Sequence, residues 1–171
     1  MLLSGNFKTL KFISMVINPN INEDEIRCEI RENSVDWNSV VKVGSSHLIL
    51  PSLYFCFLKK NIKNAVPEEL LNYLKEISKI NKRRNLQILK QVDSISKIFD
   101  QINIKYAFLK GTAILISEPF NSIDERMVGD IDILVHKKHI NLAKESLINE
   151  GYFEDNSGLI KFSKNIIKTR H

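Results

Sequence analysis

Lys110-Gly111-Thr112-Ala113, followed after a polar gap by Arg126-Met127-Val128-Gly129-Asp130-Ile131-Asp132-Ile133-Leu134-Val135, is the stretch that decides how this 171-residue chain is read. It couples a glycine turn to two alternating carboxylates. Asp130 and Asp132 are separated by one apolar residue and lead into Ile133, Leu134 and Val135, a pattern that predicts a buried strand over 130–135. Successive side chains of a strand alternate between its faces, so both carboxylates point the same way. Two neighbouring anions on a buried strand repel each other and resist desolvation, so they require a cation or strong hydrogen bonds. A bound Mg²⁺, or Mn²⁺ in its place, meets that requirement. The competing reading is an exposed edge strand with two surface acids.

Just upstream, Tyr106-Ala107-Phe108-Leu109 is a short apolar run suited to a strand, and Ala113 to Ser117 has helical character. A strand that turns through Lys110-Gly111-Thr112 into a helix exposes backbone N–H groups at the helix start, where free donors and the helix dipole favour phosphate. Gly111 lets the backbone approach phosphate oxygens, Thr112 adds a hydroxyl donor and Lys110 adds charge. A glycine between strand and helix is also an ordinary turn, and no Walker or dinucleotide motif is present. Arg126, in the same stretch as the acids, either binds phosphate or braces a carboxylate.

Working outward, residues 1–101 read as a helical lobe, with breaks at Asn18-Pro19-Asn20, Gly44-Ser45-Ser46 and Ala65-Val66-Pro67. Asn22 is positioned to cap a helix whose first turn carries Glu23, Asp24 and Glu25, and another helix starts near Asp36 with Trp37, Val40 and Val41 facing inward. After Pro67, the residues Leu70, Leu74, Ile77, Ile88, Val92, Ile95 and Phe99 follow helical spacing and predict one long amphipathic element. Its middle, Lys82-Arg83-Arg84-Asn85, is either a solvated face or a basic step toward a ligand. Residues 118–129 read as a loop, about 138–150 as a helix stopped by Gly151, and Tyr152-Phe153 with Gly158 to Phe162 as a final hairpin. The fold class expected is α+β: a helical lobe, then a small mixed sheet flanked by helices over 102–171.

Composition narrows the function classes. A hydrophobic content of 43 % suffices for a packed core, and the 25 basic residues are interleaved with 20 acidic ones, so a net charge of +5 favours anionic partners only weakly. The tail after Ile160, with Lys161, Lys164, Lys168 and Arg170, is the exception. Cys28 and Cys56 lack a partner at metal or redox spacing and read as reduced thiols of a cytoplasmic protein. The apolar region His47 to Leu58 is broken by Pro51 and falls short of the roughly 20 residues that span a bilayer, so no membrane partner is expected. His136 and His139 lack further ligands at zinc spacing, and His47 and His171 lack a partner.

Leu109-Lys110-Gly111 followed by Arg126 and Gly129-Asp130-Ile131-Asp132-Ile133-Leu134-Val135 resembles an uncharacterised bacterial nucleotidyltransferase family within the polymerase-β-like superfamily. That family also has a helical amino-terminal region, a helix after the acid strand and a glycine-aromatic step like Gly151-Tyr152. The resemblance implies transfer of a nucleoside monophosphate from an NTP to an acceptor, which is a small molecule, RNA or protein. It implies that Asp130 and Asp132 are the catalytic, Mg²⁺-holding acids, and that Lys110, Gly111, Thr112 and Arg126 contact the nucleotide phosphates. It makes 102–171 a partial nucleotidyltransferase core, because the superfamily normally places a third carboxylate on a later strand and only Glu154 and Asp155 follow the last helix here. A carboxy-terminally short form is implied, and with it two alternatives: a nucleotide- or partner-binding module without efficient chemistry, and a toxin-like transferase that modifies RNA or protein, whose members share a similar Lys-Gly-Thr and Arg…Asp-x-Asp layout.

Overall fold

The computed structural model describes residues 5–117, 122–154 and 160–162. The helices are α1 (Gly5–Ile17), α2 (Glu23–Asn33), α3 (Trp37–Ser46), α4 (Leu50–Lys59), α5 (Glu68–Gln101), α6 (Lys110–Ile116) and α7 (Ile140–Asn149). The strands are β1 (Tyr106–Phe108), β2 (Ile133–Val135), β3 (Tyr152–Glu154) and β4 (Ile160–Phe162). This is the α+β class that the sequence pattern predicts. Two compact units are present: Met1–Gln87 with Ser117–Gly129, and Ile88–Ile116 with Asp130–His171. Where the sequence suggests a cut after residue 101, this division passes within α5 and gives 117–129 to the helical unit. Residues 118–121 and 155–159, and the basic tail after Phe162, lie outside the described residues.

In the first unit the helix starts follow from local chemistry. Asn22 caps α2, its side chain accepting from the Glu25 N–H at 2.9 Å while the Glu25 carboxylate accepts from the Asn22 N–H at 3.4 Å. Asp36 caps α3 by accepting from the backbone N–H and the hydroxyl of Ser39 at 3.1 and 2.6 Å, and these bonds hold its carboxyl below the usual aspartate range. Gly44-Ser45-Ser46, expected as a break, instead forms the end of α3, and the turn follows at His47–Ile49 with Leu48 at φ +57°. Gly44 serves packing: a Cβ there would lie 2.7 Å from Leu50 Cδ2, so its hydrogen lets α4 approach closely. Phe12, Val16, Ile26, Val40, Leu53 and Phe57 form the heart of this core. Trp37 stands edge-on to both Phe12 and Phe57, with ring centroids 5.5 and 6.4 Å away.

The long helix α5 appears after Pro67 as its spacing predicts, with Leu70, Leu74, Ile88, Val92, Ile95 and Phe99 buried. Between Leu74 and Ile88 the buried stripe changes character. Ser78, Asn81 and Asn85 occupy it at 0, 1 and 0 % exposure. Asn85 is therefore not part of an exposed basic step; Lys82, Arg83 and Arg84 alone are solvent-facing.

In the second unit Ile95, Ile98 and Phe99 pack with Ile104, Ala143, Leu147 and Tyr152. β1 pairs antiparallel with β2 in the register Tyr106↔Val135, Ala107↔Leu134, Phe108↔Ile133. The closing hairpin forms as expected, with Tyr152 opposite Phe162 and Glu154 opposite Ile160. Both pairs are antiparallel among the described residues, where a mixed sheet was expected. The helix after β2 opens with a 3-10 turn, Lys137–His139, in which His136 Nδ1 accepts from the Lys138 N–H. No helix among the described residues is long and apolar enough to cross a membrane.

Candidate functional site

The two acids stand on the approach to β2 rather than within it. The expected strand over 130–135 is shorter, starting at Ile133, and it is not buried on both faces: Leu134 is exposed, Asp130 is exposed and the Asp132 side chain retains 26 % of its surface. The reason is the partner strand. The Leu109 N–H donates to the Asp132 carbonyl at 2.9 Å, and after that bond the partner backbone turns away into α6. Alternation nevertheless persists through the irregular residues. Ile131, Ile133 and Val135 pack against the second unit's core, which leaves Asp130 and Asp132 on the opposite, outer face. The shared face expected from spacing is present, reached by a backbone that is only partly strand.

Lys110 opens α6 in the left-handed region, at φ +51°, a conformation that costs an ordinary side chain on the order of 1 kcal/mol or more. Its ammonium donates to Asp132 Oδ1 at 3.0 Å. The Asp132 carboxylate, and more weakly that of Asp130, raises the lysine above its usual range. The acid pair thus already has a cation beside it, supplied by the glycine turn. Thr112, expected to face phosphate, is fully buried, and its hydroxyl donates to the Asp130 carbonyl at 2.9 Å. Its geometry is that of a brace for the acid segment. Gly111, between them, is partly exposed in the first turn of α6.

Arg126 belongs to the first unit, in an irregular segment that sequence reasoning treated as a plain loop. Four consecutive carbonyls of this segment accept from side chains. Ile123 O accepts from Asn85 Nδ2 at 2.5 Å, Asp124 O from Asn81 Nδ2 at 2.9 Å, and Glu125 O from Ser52 Oγ at 2.8 Å. Arg126 O takes both asparagine amides, at 2.9 and 2.8 Å. Arg84 donates to the Gly129 carbonyl at 3.1 Å, and the Asp124 carboxylate accepts from the hydroxyls of Ser78, at 2.9 Å, and Ser122. The sequence signal for this was available: Ser78, Asn81 and Asn85 fall on the same helical face as Leu74 and Ile88.

The remaining candidates resolve simply. Among the described residues no three His, Cys, Asp or Glu side chains gather as a metal cluster. His136 and His139 stand near each other, with ring centroids 6.0 Å apart. Glu154 pairs with Lys144 at 2.5 Å, and Asp155 lies outside the described residues. Cys28 and Cys56 are free thiols; a hydrogen bond to Glu32 raises the first above its ordinary value and burial raises the second.

A family model described as "Uncharacterised nucleotidyltransferase" matches residues 33–167. No curated protein and no solved structure matches the chain.

Proposed function

The chain belongs to this uncharacterised nucleotidyltransferase family, and we propose that it binds an NTP with Mg²⁺ and transfers the nucleoside monophosphate to an acceptor, releasing pyrophosphate. The observation that carries this reading is the pair Asp130 and Asp132 on one outward face, with the Lys110 ammonium 3.0 Å from Asp132. A carboxylate pair that draws a lysine to itself is a place where positive charge is favoured. The donor set also fits the group. Mg²⁺ is commonly held by one or two carboxylates, with water and substrate phosphates completing its shell, so two acids suffice. Mn²⁺ fits the same oxygen donors.

In this reading Asp130 and Asp132 hold the metal, which when bound neutralises triphosphate charge and orders the reacting oxygens. Lys110 balances Asp132 without nucleotide and balances phosphate oxygens with it. Gly111 allows close backbone approach to the triphosphate. Thr112 acts one step back, holding the Asp130 carbonyl and so the direction of its carboxylate. The acceptor is a small molecule, RNA or protein, and its class is read out by the assay rather than by the site.

The test is a titration of each NTP with and without Mg²⁺. Binding is expected only with metal, and should vanish in the Asp130→Asn/Asp132→Asn double variant; equal binding by that variant would sink the proposal. Labelled NTP offered with RNA, protein and small-molecule acceptors then separates a transferase from a module that binds without transferring.

A further inference from the structure

When a two-stranded antiparallel ribbon packs on one side only, its outward positions are ordinarily polar. The outer face of β1 and β2 departs from that rule beside the acids. Tyr106, Phe108, Ile133 and Val135 pack against the second unit's core. Alternation therefore turns Ala107 and Leu134 outward, and the register sets them directly opposite each other. Ala107 is exposed and Leu134 is 58 % exposed. Leu109, bonded through its N–H to the Asp132 carbonyl, is 37 % exposed. Single apolar residues on a surface need no explanation, but these three are neighbours, and Leu134 shares its face with Asp130 and Asp132. Leu134 follows Asp132 on that face at a spacing of about 6.5 Å along the strand direction. Charge borders the patch, with Lys110 on Asp132 at one end and exposed Lys105 and His136 flanking the strands at the other. An aliphatic surface in this position holds neither a metal nor a phosphate. It suits the part of a nucleotide that is neither.

We infer that Ala107, Leu109 and Leu134 form a platform for the nucleoside of the bound NTP, with the base lying against Leu134. This rests on the proposed NTP binding and adds to it the contact for the part of the substrate beyond its phosphates. Ribose and base are covalently tied to the triphosphate that the acids and their metal hold, and they extend from it by a length comparable with the spacing of Asp132 and Leu134. A base presents a flat, weakly hydrated face to an aliphatic side chain, and covering Leu134 removes its exposed area from water. None of the three side chains carries a donor or an acceptor, so this contact does not distinguish one base from another.

The experiment uses the full chain and compares Mg·ATP, Mg·GTP, Mg·CTP and Mg·UTP with inorganic tripolyphosphate plus Mg²⁺, by calorimetry. The variant is Leu134→Thr, whose β-branched side chain keeps the strand. It should weaken all four nucleotides about fivefold, as expected for uncovering roughly half a leucine, and leave tripolyphosphate within about twofold of wild type. Leu134→Met should restore nucleotide affinity. If Leu134→Thr does not fold, Leu134→Gln carries the same comparison with the same expected loss. Unchanged nucleotide affinity overturns the inference even where transfer to an acceptor falls, because the face then serves the acceptor; the proposed function stands. Equal losses for nucleotides and tripolyphosphate overturn it as well, since the substitution has then disturbed the acids. So does a ligand-free wild-type dimer that Leu134→Thr dissolves, read by sedimentation, because a second copy then covers the patch. A wild-type chain that binds neither the nucleotides nor tripolyphosphate with Mg²⁺ removes this inference and the proposed function together.

Discussion

Residues 123–126 and residues 130–132 are both irregular backbone, close together in the chain, and they are held by opposite means. The first, in the helical unit, is gripped from outside: side-chain amides and a hydroxyl reach its carbonyls. The second, in the strand-bearing unit, extends its own secondary structure: a ladder-type bond at Asp132, the inward packing of Ile131, and one hydroxyl from Thr112. A segment held largely through its backbone and its apolar side chains keeps its polar side chains on the outer face, where Asp130 is exposed and Asp132 accepts from Lys110. A segment held by other side chains depends on residues far away in sequence, so its form can be destroyed without touching it.

The largest effect expected from breaking this contrast is at the acids. Asp130→Asn/Asp132→Asn should lower metal-dependent NTP affinity by about 100-fold or more, read by calorimetry, since removal even of outer partners of a metal site costs about 10–100-fold. Next comes Lys110→Met. Removing a charged hydrogen bond to phosphate should weaken Mg·ATP about tenfold, while Mn²⁺ alone should bind no worse, because Asp132 loses its internal competitor. A smaller effect belongs to the brace. Thr112→Val keeps the shape but leaves the Asp130 carbonyl unpaired, for a loss of about 1 kcal/mol in chemical unfolding; Thr112→Ser should restore the wild-type value, and its failure to do so would point to the methyl group instead.

The smallest effect marks what kind of side chain does the holding. Amide donors such as Asn81 and Asn85 do not titrate, whereas the Asp36 cap does. Its carboxyl is lowered in the folded chain by the Ser39 hydroxyl and backbone N–H, so its contribution to stability is complete above the unfolded aspartate range and disappears as pH falls through the lower folded value. The difference in melting temperature between wild type and Asp36→Ala should therefore be present at neutral pH and close in acid. A difference that persists unchanged in acid would assign the cap to the neutral carboxyl.

How much was legible in the sequence follows the same line. The Asn22 cap, the helix start near Asp36, the start of α5 after Pro67 and the turn at Gly151 were readable because each is decided within a few residues. The shared face of Asp130 and Asp132 was readable because alternation is a property of extended backbone, with or without a partner. Strand length was not, because β2 can extend only as far as β1 accompanies it, and the left-handed Lys110 ends that company. Gly44 looked like a break because a glycine announces freedom of backbone, and only the approach of Leu50 reveals that it was chosen for its missing side chain. Asn85 looked like a member of a polar face because its neighbours Lys82, Arg83 and Arg84 are polar. Its burial depends on a segment 38 residues later.

By itself, the sequence determined the helical character of the first hundred residues, the α+β class and the shared face of the two carboxylates, all of which arise from periodicity and local capping. The tertiary structure alone decided that Lys110 pairs with Asp132, that Thr112 is buried with its hydroxyl on the Asp130 carbonyl, and that a buried asparagine stripe grips the segment carrying Arg126. The physical reason is range. Periodicity is written in neighbours, whereas a hydrogen bond between a helix side chain and a distant carbonyl exists only once the chain has folded back upon itself.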